Sequence, residues 1–156
     1  GGVDARIRKR TLDEIDRHAA EAYPEECCGA VIVVDGEEQV RRITNVQNEY
    51  HARDPVQFPR DARTAYYMHP GELIALQGEA ERPGRSIRLF YHSHPDHGAY
   101  FSAEDKAMAA PFGEPSYAEA RYLVISVVTG QVAARLAVAW DGERGDYAEV
   151  PLRVEV

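Results

Sequence analysis

Two hydrophobic periods alternate along this chain, and the switches between them outline its elements. From Thr11 to Tyr23 the apolar residues Leu12, Ile15, Ala19 and Ala22 recur at helical spacing, with Thr11 as the expected N-cap and Glu14 as its capping-box partner. Pro24 stops that helix. Cys28 to Val34 is a short β-branched run ending at Asp35-Gly36, a hairpin signal, and Gln39 to Val46 supplies the returning strand. Asn45 to Asp61, rich in Asn, Asp, Pro and Arg, reads as a long ordered loop anchored by Val56 and Phe58. Ala62 to Gln77 is helical in pattern but interrupted at His69-Pro70-Gly71, which predicts two short helices with a break, and Glu79 to Arg85 follows as a charged turn. Ser86 to Tyr91 is a buried strand and Ser102 to Ala110 a helix. The β-rich runs Tyr122 to Thr129 and Gln131 to Trp140 join at Gly130, and Tyr147 to Val154 gives a last strand. Helices alternate with strands early and hairpins dominate late, so the pattern predicts an α/β (α+β) fold, a mixed, mostly antiparallel sheet with flanking helices.

Length and charge narrow the picture. With 156 residues the chain is one domain by the usual prior, long enough to bury a core without staples, and residues 1–5 are expected to be disordered or a cloning scar. A sharper reading of Gly1-Gly2 is the tail of a diglycine-ending ubiquitin-like module once fused upstream. Eighteen Lys and Arg stand against 26 Asp and Glu, a formal charge of -8, which argues against a phosphate-binding surface and so against nucleic acid as a partner. No apolar run approaches the ~20 residues that span a bilayer, and no signal-peptide pattern opens the chain. The only cysteines, Cys27 and Cys28, are adjacent and have no third to pair with, so a disulfide framework is excluded and a reducing, cytoplasmic location is the expectation.

The chemistry-bearing residues cluster at the end of the Ser86 strand. In an extended chain residues i and i+2 face one way, so His92 and His94 can converge on one ion. Pro95 disfavours helix at His94 and, lacking an N–H, is expected to end sheet pairing. Ser102-x-x-Asp105 opens the next helix as a capping box with Asp for Glu, and that helix start carries Asp105 back toward the strand end. Two imidazoles and a carboxylate suit Zn²⁺ with one coordination position left open, the ligand count of a catalytic site. Taken singly, a strand-end histidine is ordinarily a surface or core residue and Ser-x-x-Asp ordinarily a cap; the joint spacing carries the reading. His18, taken as exposed on the first helix, and His51, His69 and His97 in loops carry no such spacing.

His92-x-His94-Pro95, six residues, then Ser102-x-x-Asp105 resembles, at every signature position, the H-x-H-P-x6-S-x-x-D motif of the JAMM (MPN+, Mov34/MPN/PAD-1) metalloproteases, prokaryotic branch. That family places a glutamate upstream in a context like P-x-E-x-C-G, which Pro24-Glu25-Glu26-Cys27-Cys28-Gly29 matches at Glu26. The resemblance spans about Arg6 to Val138 and implies a fold similar to that of cytidine deaminases. It implies one Zn²⁺ per chain on His92, His94 and Asp105, with Glu26 rather than Glu25 as the proton-transferring carboxylate. Ser102 is then a candidate oxyanion donor, and Tyr100 and Phe101, with Phe58 or Tyr66, candidate walls of a substrate groove. The implied substrate is a ubiquitin-like or sulfur-carrier (β-grasp) protein, cut after its C-terminal Gly-Gly. Three alternatives stand beside this: a general small-peptide metallopeptidase; a non-catalytic MPN scaffold; and a zinc deaminase, disfavoured because its P-C-x-x-C is absent.

Overall fold

The computed structural model describes residues 3–156 and orders them as β1 (Ala5–Arg8), α1 (Lys9–Ala22), β2 (Cys28–Val34), β3 (Glu37–Ile43), α2 (Gln47–Arg53), α3 (Pro70–Ala80), β4 (Arg85–Pro95), α4 (Ala103–Ala109), β5 (Arg121–Val128), β6 (Gln131–Asp141), β7 (Asp146–Val150) and β8 (Leu152–Glu155). Six strands form one sheet in the order β3-β2-β4-β5-β6-β7, antiparallel throughout except for the β4–β5 pair. A second sheet pairs β1 with β8 in parallel. The expected mixed, mostly antiparallel sheet with flanking helices is what the chain builds.

Alternation along β4 divides the interior in two. Leu89 and Tyr91 join Leu12, Ile15 and Ala19 of α1 and Ile7 of β1 in one apolar cluster, while Phe90 packs on the other face with Tyr66, Met68, Leu76 of α3 and Ala109 of α4. Cys27 and Cys28 follow the same alternation, one in each cluster. Asp35 and Gly36 turn the β2–β3 hairpin with φ of 49° and 84°, the doubly left-handed conformation that the Asp-Gly pair favours. Gly29 is needed because the Tyr91 ring lies against it where a Cβ would sit.

Several sequence expectations need correction. Helix α1 begins at Lys9, so Thr11 is a buried interior residue and not the N-cap. The cap is tertiary: Glu38 of β3, 8% exposed, accepts the Arg8 N–H at 3.0 Å and the Thr11 hydroxyl, and pairs with Arg88 at 2.5 Å. The expected loop after Asn45 contains helix α2, and Val56 is exposed instead of anchoring it, whereas Phe58 does pack, 5.2 Å from the Tyr50 ring. Ala62 to Met68 is not helical; Pro70 does not break a helix but starts α3 at its first position, where its missing N–H is harmless. His69 caps α3, its Nδ1 accepting from the Glu72 N–H at 3.2 Å. The last strand is divided at Pro151 into β7 and β8. Residues 3–5 are described and Ala5 opens β1, while the reading of Gly1-Gly2 falls outside the described residues.

Strand β4 also continues through Pro95, pairing His94 with Ser126 and Pro95 with Val127. The N–H groups alternate between neighbours: Ser93 donates toward β2, to Cys27 O, and Asp96 toward β5, to Val127 O. Pro95 therefore aims its nitrogen at the β2 side, where pairing has already ended at Cys28↔His92, and no ladder bond is lost.

Candidate functional site

The early end of β2 leaves a notch beside His92 and His94, and the chain entering β2 brings Glu26 to it. Glu26 is pinned on both sides of its peptide: its N–H donates to Ala62 O at 2.7 Å, and its carbonyl accepts from Asn45 Nδ2 at 2.9 Å. The Asn45 Oδ1 accepts from Gln47 N and Tyr67 N, both at 3.0 Å, so one amide ties the 44–68 segment to the site. Glu25 faces away, exposed, with its carboxylate on Asn48 at 2.9 Å.

From the opposite side, α4 delivers Asp105. Ser102 caps it, Oγ accepting the Asp105 N–H and the Asp105 carboxylate accepting the Ser102 N–H, both at 3.0 Å. That box fixes Asp105 Oδ2 at 3.0 Å from His92 Nε2 and 3.1 Å from His94 Nε2. Two ligands on a tetrahedral zinc, each about 2.0–2.1 Å from the ion, stand about 3.3 Å apart, so these spacings need little adjustment. The ligand atoms of Glu26, His92 and His94 lie within 4.8 Å of one another. Exposures are 5% for Glu26 and Asp105, 4% for His94 and 1% for His92. Glu26 Oε1 is buried with no hydrogen-bond partner among the described residues, and His92 Nε2, also buried, has only the Asp105 carboxylate beside it. An orphaned carboxylate oxygen beside two imidazoles that crowd a second carboxylate fits a divalent, zinc-like cation, which would satisfy it.

The rings are held from behind. His94 Nδ1 lies 3.0 Å from the carbonyl of Gly98, which requires the proton on Nδ1 and leaves Nε2 toward Asp105. Tyr66 stacks on His92 at 4.5 Å and Tyr100, half exposed, meets His94 edge-on at 5.0 Å. Burial, with Asp105 opposite, pushes the Glu26 carboxyl up to about 9, against a smaller pull from Arg60. Burial likewise holds His92 below its usual value against the attraction of Asp105. Burial opposes ionisation of Asp105 too, but His92, His94 and the Ser102 N–H outweigh it and keep the carboxyl well below the usual range. Cys27 is pushed up to about 12 by burial, which makes it a poor nucleophile.

His92, His94, Asp105, Glu26 and Ser102 therefore meet in one place. Phe101 does not line the groove; its ring packs inward, 5.0 Å from Tyr147 and 5.6 Å from Tyr122. Two cavities of about 320 and 500 Å³ share Tyr66, Tyr67, Ala107 and Met108, and the larger reaches Asp105. Arg60 and Glu104 pair at 2.9 Å on its wall. Asn45, Tyr66 against His92, and the Gly98 carbonyl carry no spacing signal, because their partners are distant in sequence or are backbone atoms.

The family described as prokaryotic homologs of the JAB domain matches residues 8–141. The chain belongs to this family. It is 30% identical over 148 residues to the Desampylase of Haloferax volcanii, covering 92% of this chain and 91% of that protein. Among solved structures it resembles the solution structure of a Desulfitobacterium hafniense protein, with a TM-score of 0.68 and 24% identity over 96% of this chain and 92% of the other. A Salinibacter ruber protein gives a TM-score of 0.60 and 28% identity, covering 96% and 90%. The family resemblance of the motif and the expected mixed, mostly antiparallel sheet with flanking helices are thus borne out.

Proposed function

We propose that this JAB-family protein is a zinc-dependent (iso)peptidase that hydrolyses the amide bond after the C-terminal Gly-Gly of a ubiquitin-like or sulfur-carrier protein. The observation that carries the chemistry is Glu26 Oε1, buried, without a partner among the described residues, and facing His92 and His94 across the position an ion would take. His92, His94 and Asp105 would hold the metal. When bound, zinc supplies Lewis-acid polarisation of a carbonyl and acidifies water from a pKa of about 15.7 to about 7.

The protein's own groups do the rest. Glu26 is the proton carrier: beside a bound cation its carboxylate would take a proton from the attacking water, and the acid so formed, which its burial favours, would deliver that proton to the leaving amine. Ser102 spends a lone pair on the Asp105 N–H and keeps its own proton for the carbonyl oxygen as charge develops there. The pocket continuous with Asp105, walled by Tyr66, Tyr67 and Met108, is suited to an extended peptide approaching the site. Similarity to a Desampylase supports a ubiquitin-like modifier as the substrate.

The test is mass spectrometry of ubiquitin-like fusions incubated with the protein, with and without a chelator. Cleavage after the last glycine, lost with chelator and lost when that glycine becomes Leu, is the expected result. Efficient cleavage of unrelated unfolded peptides would replace the reading with a general metallopeptidase.

A further inference from the structure

Strand β5 runs Leu123, Val124, Ile125, Ser126, Val127, Val128, and Ser126 is the single polar residue in that stretch. It is 2% exposed and stands beside His94 in the parallel register, on the site face of the sheet. Packing alone would be met by Ala or Val there, and a buried hydroxyl is unfavourable unless it finds a partner. Ser126 Oγ donates to the carbonyl of His97. The next carbonyl in the chain, that of Gly98, is the one on His94 Nδ1 at 3.0 Å.

The same turn is gripped from outside by Asp96. Its φ of 57° lies in the left-handed region, its carboxylate accepts from Thr129 N at 3.0 Å and from the Tyr23 hydroxyl at 2.6 Å, and its N–H donates to Val127 O at 2.7 Å. Helix α1, through Tyr23 at its end, and the β5–β6 turn, through Thr129, therefore brace the outer half, while Ser126 braces the inner half.

We infer that Ser126 is a positioning residue for His94, acting through the His97–Gly98 peptide. Holding the His97 carbonyl restrains the peptide that leads into Gly98, and the Gly98 carbonyl fixes which nitrogen of His94 carries the proton. With a cation between them, Nε2, 3.1 Å from Asp105, would then offer its lone pair at one orientation. The inference rests on the metal reading of the site for its consequence but not for its geometry.

Two readouts test it. On metal-free protein, NMR follows the His94 Nδ1–H proton, which should exchange slowly in the unaltered protein and fast in Ser126→Ala. By chelator competition, Ser126→Ala should bind zinc roughly 10–100-fold more weakly, the scale of losing a group that orients a ligating histidine. Ser126→Thr, which keeps the hydroxyl, should restore both. Asp96→Gly tolerates the positive φ and removes only the outer brace, so it should shift both readouts in the same direction by less. Unchanged proton exchange and affinity in Ser126→Ala would overturn the inference, as would equal impairment of Ser126→Ala and a folded Ser126→Thr. If Ser126→Thr does not fold, Ser126→Ala decides alone: unaltered exchange in that folded variant overturns it. If the unaltered protein binds no zinc, the metal reading fails, and the proton readout alone decides the role of Ser126.

Discussion

At the scale of single residues, two carboxylates on opposite sides of the site have different environments and should respond differently to substitution. Asp105 is held ionised by two imidazoles and the Ser102 N–H, so Asp105→Ala removes a ligand and should sharply lower zinc content by elemental analysis; full occupancy in that variant would overturn its role. Glu26 has no such partners, and Glu26→Gln keeps the ligating trio, so zinc should remain while hydrolysis falls by roughly 10²-fold or more. Glu25→Gln, on the exposed side, should be nearly neutral in the same turnover assay. His92, His94, Ser102 and Asp105 were legible because they sit on one strand end and one helix start, where the i, i+2 rule and the capping box fix their directions. The tie from Asn45 to Glu26 was not legible, since an amide 19 residues away has no periodicity to announce it.

At the scale of elements, local patterns succeeded where an element carries its own signals and failed where a distant group supplies them. The Asp35-Gly36 hairpin was read correctly because both turn residues encode its backbone. The start of α1 was misread because its cap is Glu38, some 30 residues on. Helix α2 was missed because only seven residues form it, with Gln47 its one buried side chain. Strand β1 was missed because four residues pair with a strand at the far end of the chain. If Glu38 is the tertiary cap, Glu38→Ala strips a partner from Arg8 N–H, the Thr11 hydroxyl and Arg88 together and should cost about 2–3 kcal/mol in urea unfolding. A loss below about 0.5 kcal/mol, the range of ordinary surface changes, would mean that α1 is held by its apolar face alone.

At the scale of the whole molecule, the sheet separates a chemical face from a structural one, and the second couples folding to pH. His18, expected on the open side of α1, instead reaches the sheet: its Nδ1 lies 2.6 Å from the hydroxyl of Tyr91, the residue before His92, and the two rings meet edge-on at 5.7 Å. Its helical phase misled because the Tyr91 ring is long enough, lying over Gly29, to meet a position at the border of the helix's apolar stripe. Burial first, and Arg42 next, lower the His18 pKa from 6.5 to about 4, with Glu21 opposing. The folded state therefore favours the neutral ring more than the unfolded state does. Its contribution to stability is fully present above pH 6.5 and is lost as pH falls toward 4, because the unfolded chain takes up a proton that the folded chain resists. For a half-buried ring the loss should be about 1–3 kcal/mol after screening. Urea midpoints measured from pH 7.5 to 4 should therefore fall less steeply in His18→Gln than in the unaltered protein, with the two curves diverging only below about pH 6.5. Parallel curves across that window would mean that His18 titrates freely and that its contact with Tyr91 is not maintained in solution.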